Sequence, residues 1–394
     1  MIPKKAGIIL RTVVSYSSEE VVGLTDVFDY IRWRGDLTFR QDPPNEVDAL
    51  VFSALAYIRY CGQLEDGINS VRLLRDAYQD FLSFEGSNLR VRVKRDLELF
   101  KAAAQSVRFG ECALCMYMER FIPEEETQFA AVTFLLDDGS AFLAFRGTDD
   151  TLVGWKEDFN MSFQQTVPAQ RLALEYTELF ASIHLMPLRL GGHSKGGNLA
   201  VYAGAGVSPD IQKRILEVYN NDGPGFSEDF ITDSGYLRIV PKIKTFVPQS
   251  SVIGMLLEHE EPYIVIRSNQ VSLLQHEIYS WEVIGKRFVE MESITADSRF
   301  LDLTIKNWIA EMTPQERNIL VDALYDLLSS GEVDSALDIF RLKNIRHYLK
   351  ALSTNGNMRK LFSDELRSLV AAAKKATEQF TLPEQAEEQK SLTE

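Results

Sequence analysis

The segment that most constrains the fold runs from Leu188 to Asn198. It reads Leu-Arg-Leu-Gly-Gly-His-Ser-Lys-Gly-Gly-Asn and continues into an alanine-rich stretch. A short apolar strand, a Gly-x-Ser-x-Gly turn and a helix are the context in which this motif forms a nucleophile elbow. Gly192 and Gly196 lie two residues to either side of the serine, where a side chain would collide with the turn. We therefore predict Ser194 as a nucleophile; the alternative is a structural glycine-rich turn.

Composition places the chain among globular proteins and argues against two functional classes. Of its 394 residues 45% are hydrophobic and 25% charged, which is ordinary, and the formal net charge is −15. That charge argues against a nucleic-acid-binding surface. No apolar run is long enough to span a bilayer, and the apolar stretch near the start ends at Arg11, too early for a signal peptide. We expect a cytoplasmic protein with no transmembrane segment and no nucleic-acid partner.

The three cysteines, Cys61, Cys112 and Cys115, do not indicate a disulfide framework. Cys112 and Cys115 match Cys-x-x-Cys, but no second cysteine pair or nearby histidine completes a zinc site. Because methionines and a tyrosine follow directly, we interpret the pair as small buried apolar residues rather than as a redox or metal site. We expect no metal and no organic cofactor.

Hydrophobic periodicity predicts helical regions on both sides of a central core. Two apolar groups, Val27–Trp33 and Val47–Ile58, indicate a mainly helical N-terminal region at 1–105. A capping box at Thr313–Glu316 opens a helix in a C-terminal helical region at 291–380. Residues 381–394 are rich in Glu and Gln, and we predict a disordered tail.

The core, at 106–290, is predicted to alternate strands with helices. A hairpin turn at Asp137-Asp138-Gly139 begins it. The predicted strands are Phe129–Leu136, Ala141–Phe145, the strand that begins at Leu188, Ile215–Tyr219, Ile243–Val247 and Tyr263–Arg267. This order predicts an α/β fold with a mixed, mainly parallel sheet covered by helices.

A serine nucleophile of this kind needs a general base, which is nearly always a histidine from a late loop of the sheet. Of the five histidines, only His276 has both the required chain order and a loop position, just after the last predicted strand. His193 lies inside the elbow, and we expect its side chain to point away from the serine. The others are His184 before the elbow strand, His259 in an acidic run interpreted as solvated surface, and His347 in the C-terminal helices. We predict His276 as the base; the alternative is a packing or capping role.

Two backbone N–H groups are expected to form an oxyanion hole. The residue after the nucleophile, Lys195, supplies one. Phe145-Arg146-Gly147-Thr148 is the candidate for the second, because it ends a predicted strand and Gly147 permits close approach of the backbone. Thr148 would contribute its N–H and its hydroxyl; the alternative is an ordinary strand-end turn that Thr148 caps.

Together these motifs resemble a known group of enzymes. Phe145–Thr148, followed by Trp155 and Asp158, and Gly192–Gly197 are similar to the class 3 (fungal-type) lipases. The chain resembles more closely an uncharacterised bacterial family of lipase-like serine hydrolases related to them; the matching segments are Tyr30–Asp36, Asn45–Asp48, Gly154–Asn160 and Gln275-His276. The resemblance spans roughly residues 25 to 290. It implies an α/β-hydrolase fold and hydrolysis of a small-molecule or lipid ester, although a fold alone does not establish an activity.

One departure from the class 3 pattern concerns the acid that orients the base. Those lipases carry an aspartate after a later strand, where this chain reads Phe246 to Ile253 without an acid. Asp222, directly after the strand that follows the elbow helix, is the nearest substitute, since some other lipases carry their acid at that strand end. A turn that merely closes the strand is an equal alternative. A neutral hydrogen bond from Ser251 to His276 is a third.

The sequence supports three hypotheses for function. The first is a serine hydrolase of carboxylic esters that works through an acyl-enzyme: Ser194 attacks, His276 transfers the proton and Asp222 orients the imidazole. Thr148 and the Lys195 N–H stabilise the oxyanion. The second is a catalytically degraded lipase-like binding or scaffold protein, which the missing acid favours. The third is an acyltransferase that uses the same serine. Acyl-chain preference and oligomeric state stay open.

Overall fold

An eight-stranded mixed sheet is the centre of the fold. The structure, a computed structural model, describes residues 25–60, 70–83, 91–148, 156–157, 160–161, 166–251, 253–329 and 342–381. The strands lie side by side in chain order: β1 (Val71–Leu73), β2 (Ala113–Ile122), β3 (Thr127–Leu135), β4 (Ala141–Phe145), β5 (Leu188–His193), β6 (Ile215–Asn221), β7 (Ile243–Pro248) and β8 (Tyr263–Ile266). Neighbours are antiparallel from β1 to β4 and parallel from β4 to β8. A separate antiparallel pair consists of β9 (Val283–Ile284) and β10 (Arg287–Phe288).

Helices precede, cover and follow the sheet. Those before β2 are α1 (Val27–Arg34), α2 (Glu46–Leu55), α3 (Leu74–Ser83), α4 (Lys94–Gln105) and α5 (Val107–Gly110). Those between the later strands are α6 (Pro168–Ile183), α7 (Lys195–Gly206), α8 (Pro209–Arg214), α9 (Glu228–Ile231) and α10 (Ser234–Ile239). Those after the sheet are α11 (Ala296–Glu311), α12 (Pro314–Ser329), α13 (Leu342–Thr354) and α14 (Gly356–Thr381). Short 3-10 helices span Pro123–Glu125, Val240–Lys242, Ile253–Met255, Ser272–His276 and Ile278–Ser280.

The predicted fold class, an α/β-hydrolase fold with a mixed, mainly parallel sheet, is confirmed. Strands β3 to β8 overlap the six predicted strands, and Gly139 closes the β3–β4 hairpin turn at a φ of 85°. Strand β1 lies inside the region predicted as helical. Three residues at the sheet edge are too few to produce a readable alternation, so sequence periodicity does not reveal this strand. Of the predicted tail at 381–394, Thr381 is the last residue of α14, and residues 382–394 lie outside the described residues.

Each face of the sheet carries its own apolar core. One face packs against the N-terminal helices; its buried side chains include Val132, Phe134, Phe142, Tyr219 and Phe246. The other packs against α6, α7 and α10; its buried side chains include Phe129, Leu143, Phe145, Leu190 and Val218. Phe52 of α2 lies 4.8 Å from the Phe134 ring centroid and 4.9 Å from that of Phe142. Because successive side chains of a strand point to opposite faces of the sheet, Phe134 and Phe142 face the N-terminal helices. Their contacts with Phe52 make α2 part of this apolar core.

A buried ion pair fixes the beginning of α2. Arg108 donates from Nε to Asp48 Oδ1 at 2.7 Å and from Nη2 to Asp48 Oδ2 at 2.6 Å, and both side chains are almost completely buried. Asp48 Oδ2 also accepts a hydrogen bond from the Asn45 N–H at 2.9 Å, within a capping box. Fully satisfied buried charges specify one arrangement of their elements, because moving either element would leave a buried charge unpaired. The Asn45–Asp48 segment, noted above for its resemblance, thus has a structural role.

No helix among the described residues combines the length and the apolar character that crossing a bilayer requires.

Candidate active site

Ser194 lies on the sharp turn between β5 and α7. Its backbone has a φ of 57° and a ψ of −133°, a combination that residues with a Cβ rarely adopt and that costs roughly 1–3 kcal/mol. Two hydrogen bonds hold the turn: the Ser194 N–H donates to Asn221 O at 2.9 Å, and the Gly197 N–H donates to Ser194 O at 2.9 Å. The strained turn leaves Ser194 partly exposed at the carboxyl edge of the sheet. This is the geometry that a nucleophile elbow requires.

Close backbone packing explains the two glycines of the motif. A Cβ on Gly192 would lie 2.3 Å from the carbonyl carbon of Gly196, and one on Gly196 would lie 2.1 Å from Phe145 O. Backbone atoms cannot rotate aside as a flexible side chain can. The predicted collision at both positions is therefore confirmed.

We expect Gly196→Ala to lower the free energy of unfolding by about 1–3 kcal/mol, because the added methyl group forces β4 and α7 apart. Gly204→Ala, on the same helix, is the matched control. Its Cβ would lie 3.3 Å from the nearest atom, a methyl group of Ile239, which can adjust. Urea denaturation measures both variants, and equal midpoints would contradict the packing argument.

His276 and Asp222 form a hydrogen-bonded pair at the same edge of the sheet. Asp222 follows β6 directly, its N–H donates to Phe246 O at 2.8 Å, and its Oδ2 lies 2.7 Å from His276 Nδ1. Asp222 is buried, whereas 28% of the His276 side chain is exposed. Because a carboxylate only accepts, Nδ1 carries the hydrogen and Nε2 of the neutral ring is the basic nitrogen. The register pairs His193 with Asn221, so the residues that follow them, Ser194 and Asp222, emerge side by side.

Ser251 contacts Asp222, a contact that sequence reasoning missed. Its Oγ donates to Asp222 Oδ1 at 2.5 Å and accepts from the Gly254 N–H at 3.0 Å. The hydroxyl thus lies on the carboxylate, rather than on the imidazole as the third alternative supposed. A Cβ on Gly254 would lie 2.2 Å from Asp222 Oδ1, so a glycine permits this loop to approach. Both carboxylate oxygens of Asp222 therefore have hydrogen-bond partners.

The loop that supports Ser251 includes His259, whose interpretation as solvated surface was wrong. Its side chain is 7% exposed. Nδ1 lies 3.1 Å from Glu261 Oε1, and Nε2 lies 2.8 Å from Gly254 O. The acidic run misleads because one of its members, Glu261, folds inward and accepts hydrogen bonds from Thr245 and Tyr236.

The turn that carries Thr148 packs on the elbow. A Cβ on Gly147 would lie 2.5 Å from His193 O and 2.2 Å from Tyr57 Oη, so only a glycine fits there. Thr148 itself is partly exposed, and the Lys195 N–H lies at the first turn of α7. The structure therefore brings the two proposed oxyanion donors to the same edge as Ser194. Trp155 and Asp158 lie outside the described residues.

The side chain of Lys195 forms a buried ion pair, which the sequence did not indicate. Nζ donates to Glu157 Oε2 at 2.9 Å and to Gln128 O and Oε1, both at 2.8 Å. Glu157 Oε1 also accepts from the Ala169 N–H at 2.9 Å. At most 1% of either charged side chain is exposed. The residue after the proposed nucleophile is thus tied to β3 and to the beginning of α6.

His193 also has partners that sequence reasoning missed. Its Nδ1 lies 2.9 Å from Tyr57 Oη, and its Nε2 lies 2.8 Å from the backbone oxygen of His276. The pKa of His193 lies well below its ordinary value because burial penalises the charged ring; His276 and Arg92 act in the same direction. The ring is therefore neutral, and it joins the elbow to the loop that carries His276.

Cys112 and Cys115 are buried, as interpreted from their neighbours. Cys112 and Cys115 are 3% and 2% exposed, and burial raises the pKa of the Cys115 thiol to about 12. A thiol in that state is a poor nucleophile and a poor metal ligand. Cys61 lies outside the described residues, among which no group of three or more His, Cys, Asp or Glu residues could hold a metal ion.

Comparison with known families adds to this geometry. Residues 103–326, more than half of the chain, match the family described as Mbeg1-like. The chain belongs to the Mbeg1-like family. The matched range contains the elbow, Thr148, Asp222 and His276, and it begins after α1 to α3. No curated protein matches the sequence.

The solved structures that are similar to this member of the Mbeg1-like family include two lipases and the protein MDLA. M37 lipase has a TM-score of 0.35 and 13% identity over 54% of this chain and 70% of its own. Rhizomucor miehei lipase in its propeptide complex has a TM-score of 0.34 and 14% identity over 56% of this chain and 68% of its own. A mutant of MDLA from Penicillium cyclopium has a TM-score of 0.34 and 14% identity over 62% of this chain and 84% of its own. At such identities the likeness concerns the fold alone. The predicted bacterial origin stays a prediction.

Proposed function

We propose that this protein is a serine hydrolase of carboxylic esters that acts through an acyl-enzyme. The observation that supports this most is the position of three groups. Ser194 lies on a strained elbow after β5, and the hydrogen-bonded pair of Asp222 and His276 lies at the same edge, after β6 and β8. A nucleophile, a base and a group that orients the base are the parts that acyl transfer requires.

The first half of the reaction forms the acyl-enzyme. Ser194 Oγ attacks the ester carbonyl carbon while His276 Nε2 accepts the hydroxyl proton. The Lys195 N–H and Thr148 donate to the oxyanion, and the N-terminus of α7 favours negative charge there. The carbonyl re-forms as the bond to the alcohol oxygen breaks, and His276 returns the proton to that alcohol. Asp222 holds the ring and stabilises its charged form.

The second half releases the acid. Water attacks the acyl carbon, and His276 Nε2 accepts its proton. Collapse of the second tetrahedral intermediate breaks the bond to Ser194 Oγ, which takes the proton back. The products are the carboxylic acid and the regenerated serine. The substrate is a small-molecule or lipid ester, and no metal takes part in these steps.

The test is covalent labelling with a fluorophosphonate probe, whose phosphorus forms a bond to an activated serine oxygen. We expect labelling at Ser194 that is lost in Ser194→Ala and reduced by at least about 100-fold in His276→Ala, because the base no longer activates the hydroxyl. Ser182→Ala is the matched control: Ser182 is exposed, and its hydroxyl donates to Leu179 O. A folded native protein that is not labelled, or labelling that survives Ser194→Ala, would contradict the proposal.

The two other hypotheses are outcomes of related measurements. The scaffold hypothesis drew on the missing acid after β7, and the bond between Asp222 and His276 weakens that reason. The acyltransferase hypothesis shares the acyl-enzyme. Product analysis with a competing alcohol distinguishes hydrolysis from acyl transfer: a free acid supports hydrolysis, and a new ester supports transfer.

A further inference from the structure

A second imidazole lies beside the proposed base. The ring centroids of His193 and His276 are 4.5 Å apart, and their planes differ by 37°. His193 is the last residue of β5 and directly precedes Ser194. Its ring spans the space between Tyr57 Oη at 2.9 Å and the backbone oxygen of His276 at 2.8 Å. One buried side chain therefore connects the segment just after α2, the elbow and the loop of the proposed base.

The two hydrogen bonds define which nitrogen of His193 carries the hydrogen. The backbone oxygen of His276 only accepts, so Nε2 must be the donor. Because the ring is neutral, Nδ1 has a free lone pair and accepts from the Tyr57 hydroxyl. His193 is thus the neutral Nε2–H tautomer.

The residues on either side of His276 are also held. Gln275 O accepts a hydrogen bond from Trp281 Nε1 at 2.9 Å. Glu277 forms a bidentate pair with Arg92 at 2.9 and 3.0 Å, and the Arg92 guanidinium lies 4.6 Å from the centroid of the Tyr57 ring. Together with the contact from His193, these bonds hold three consecutive residues of the loop, 275 to 277. Both Arg92 and Tyr57 come from the mainly helical region before β2.

We propose that His193 is a positioning residue for the reaction proposed above, on which this inference rests. As a neutral donor it fixes the main chain of His276 and so keeps that ring on Asp222. During acyl transfer His276 becomes a cation, and a neutral aromatic ring 4.5 Å away does not oppose that charge, whereas a charged ring would. Tyr57 orients the His193 ring. The N-terminal helical region is therefore part of the site.

Two substitutions at position 193 separate the hydrogen bond from the space that the ring fills. His193→Gln keeps an N–H that can reach the His276 oxygen, and His193→Phe keeps a ring without a donor. For a soluble ester we expect kcat to fall about 100-fold in His193→Phe, with KM within roughly twofold, because a misplacement of the base by about 1 Å costs a factor of that size. We expect His193→Gln to recover most of the activity. Equal losses in both variants would overturn the proposal.

Nitrogen-15 NMR of the imidazoles tests the inference without any activity. We expect His193 to give the shifts of an Nε2–H tautomer and not to titrate between about pH 5 and 8. We also expect the Nδ1–H proton of His276, which bonds to Asp222 Oδ2, to move upfield in His193→Phe as that contact loosens. A titrating His193, an Nδ1–H tautomer of His193 or an unmoved Nδ1–H resonance of His276 would overturn the proposal. If these spectra appear as expected but the native chain does not react with the fluorophosphonate, the proposed function fails and the positioning contact stands.

A second variant covers the case in which His193→Phe does not fold. Tyr57→Phe removes only the hydroxyl that donates to His193 Nδ1, and we expect about tenfold lower kcat together with a changed Nδ1 shift of His193. Tyr60→Phe is the matched control, since that buried hydroxyl donates to Leu55 O at 3.1 Å and does not contact His193. Equal effects of the two tyrosine variants would overturn the role of Tyr57.

Discussion

Asp222→Asn is expected to lower kcat about 10⁴-fold, with little change in KM. The reason lies in the partners of the carboxylate. Ser251 Oγ accepts from the Gly254 N–H and donates to Asp222 Oδ1, so the oxygen of an asparagine would turn toward Ser251. Its NH₂ group would then face His276 Nδ1. That nitrogen would have to accept, the hydrogen would move to Nε2, and the ring could no longer take the proton from Ser194.

Ser251→Ala is the matched comparison for this prediction. It removes one hydrogen bond to the carboxylate and leaves Asp222 Oδ2 on His276 Nδ1, so we expect only about a tenfold loss, as for one hydrogen bond to a charged group. Steady-state kinetics with a chromogenic ester measure both variants. Comparable losses, or an active Asp222→Asn enzyme, would show that Asp222 is not the group that orients the base.

The elbow could be predicted because its motif is local. A strand, two glycines at fixed spacing and a helix lie within about twenty residues, and a Cβ on Gly192 would collide with Gly196 inside that stretch. The collision at Gly196 is with Phe145 O of β4, which only the folded sheet brings close. The β3–β4 hairpin was equally accessible, since Asp137-Asp138-Gly139 specifies its own turn. His276 followed from chain order, with only five histidines to choose from.

The acid could not be decided from the sequence, for a physical reason. Asp222 had two interpretations, a turn that closes β6 and a partner of His276. The geometry accommodates both, because the residue has a φ of 55° and also lies 2.7 Å from the imidazole. A turn residue is recognisable locally, whereas a contact 54 residues along the chain depends on where two loops meet.

Other supporting contacts were missed for the same reason. Tyr57 and His193 are 136 residues apart, and Ser251 and Asp222 are 29 apart. No periodicity or motif spacing encodes such pairs, since they are created when α2 packs on β5 and when β7 follows β6 in the sheet. The buried ion pair between Lys195 and Glu157 could not be predicted either. A lysine is usually exposed, and only the folded structure brings Glu157 next to it.

Lys195→Met should lower the free energy of unfolding by about 3–5 kcal/mol, because it leaves Glu157 charged and buried without its partner. Gln128 loses a donor to two of its oxygens as well. Lys213→Met is the matched control. That lysine is 76% exposed and pairs with Asp210, so its loss should leave the free energy of unfolding nearly unchanged.

A double variant shows whether the buried charge is the cause. In Lys195→Met combined with Glu157→Gln no unpaired charge remains, so urea denaturation should find this variant more stable than Lys195→Met alone; strict additivity would contradict the ion-pair explanation. The same experiment separates the two roles of Lys195. Its proposed oxyanion donor is the backbone N–H, which methionine retains. At a temperature where Lys195→Met is still folded, the fluorophosphonate should therefore label Ser194, and the loss of the side chain should be seen in stability before it is seen in chemistry.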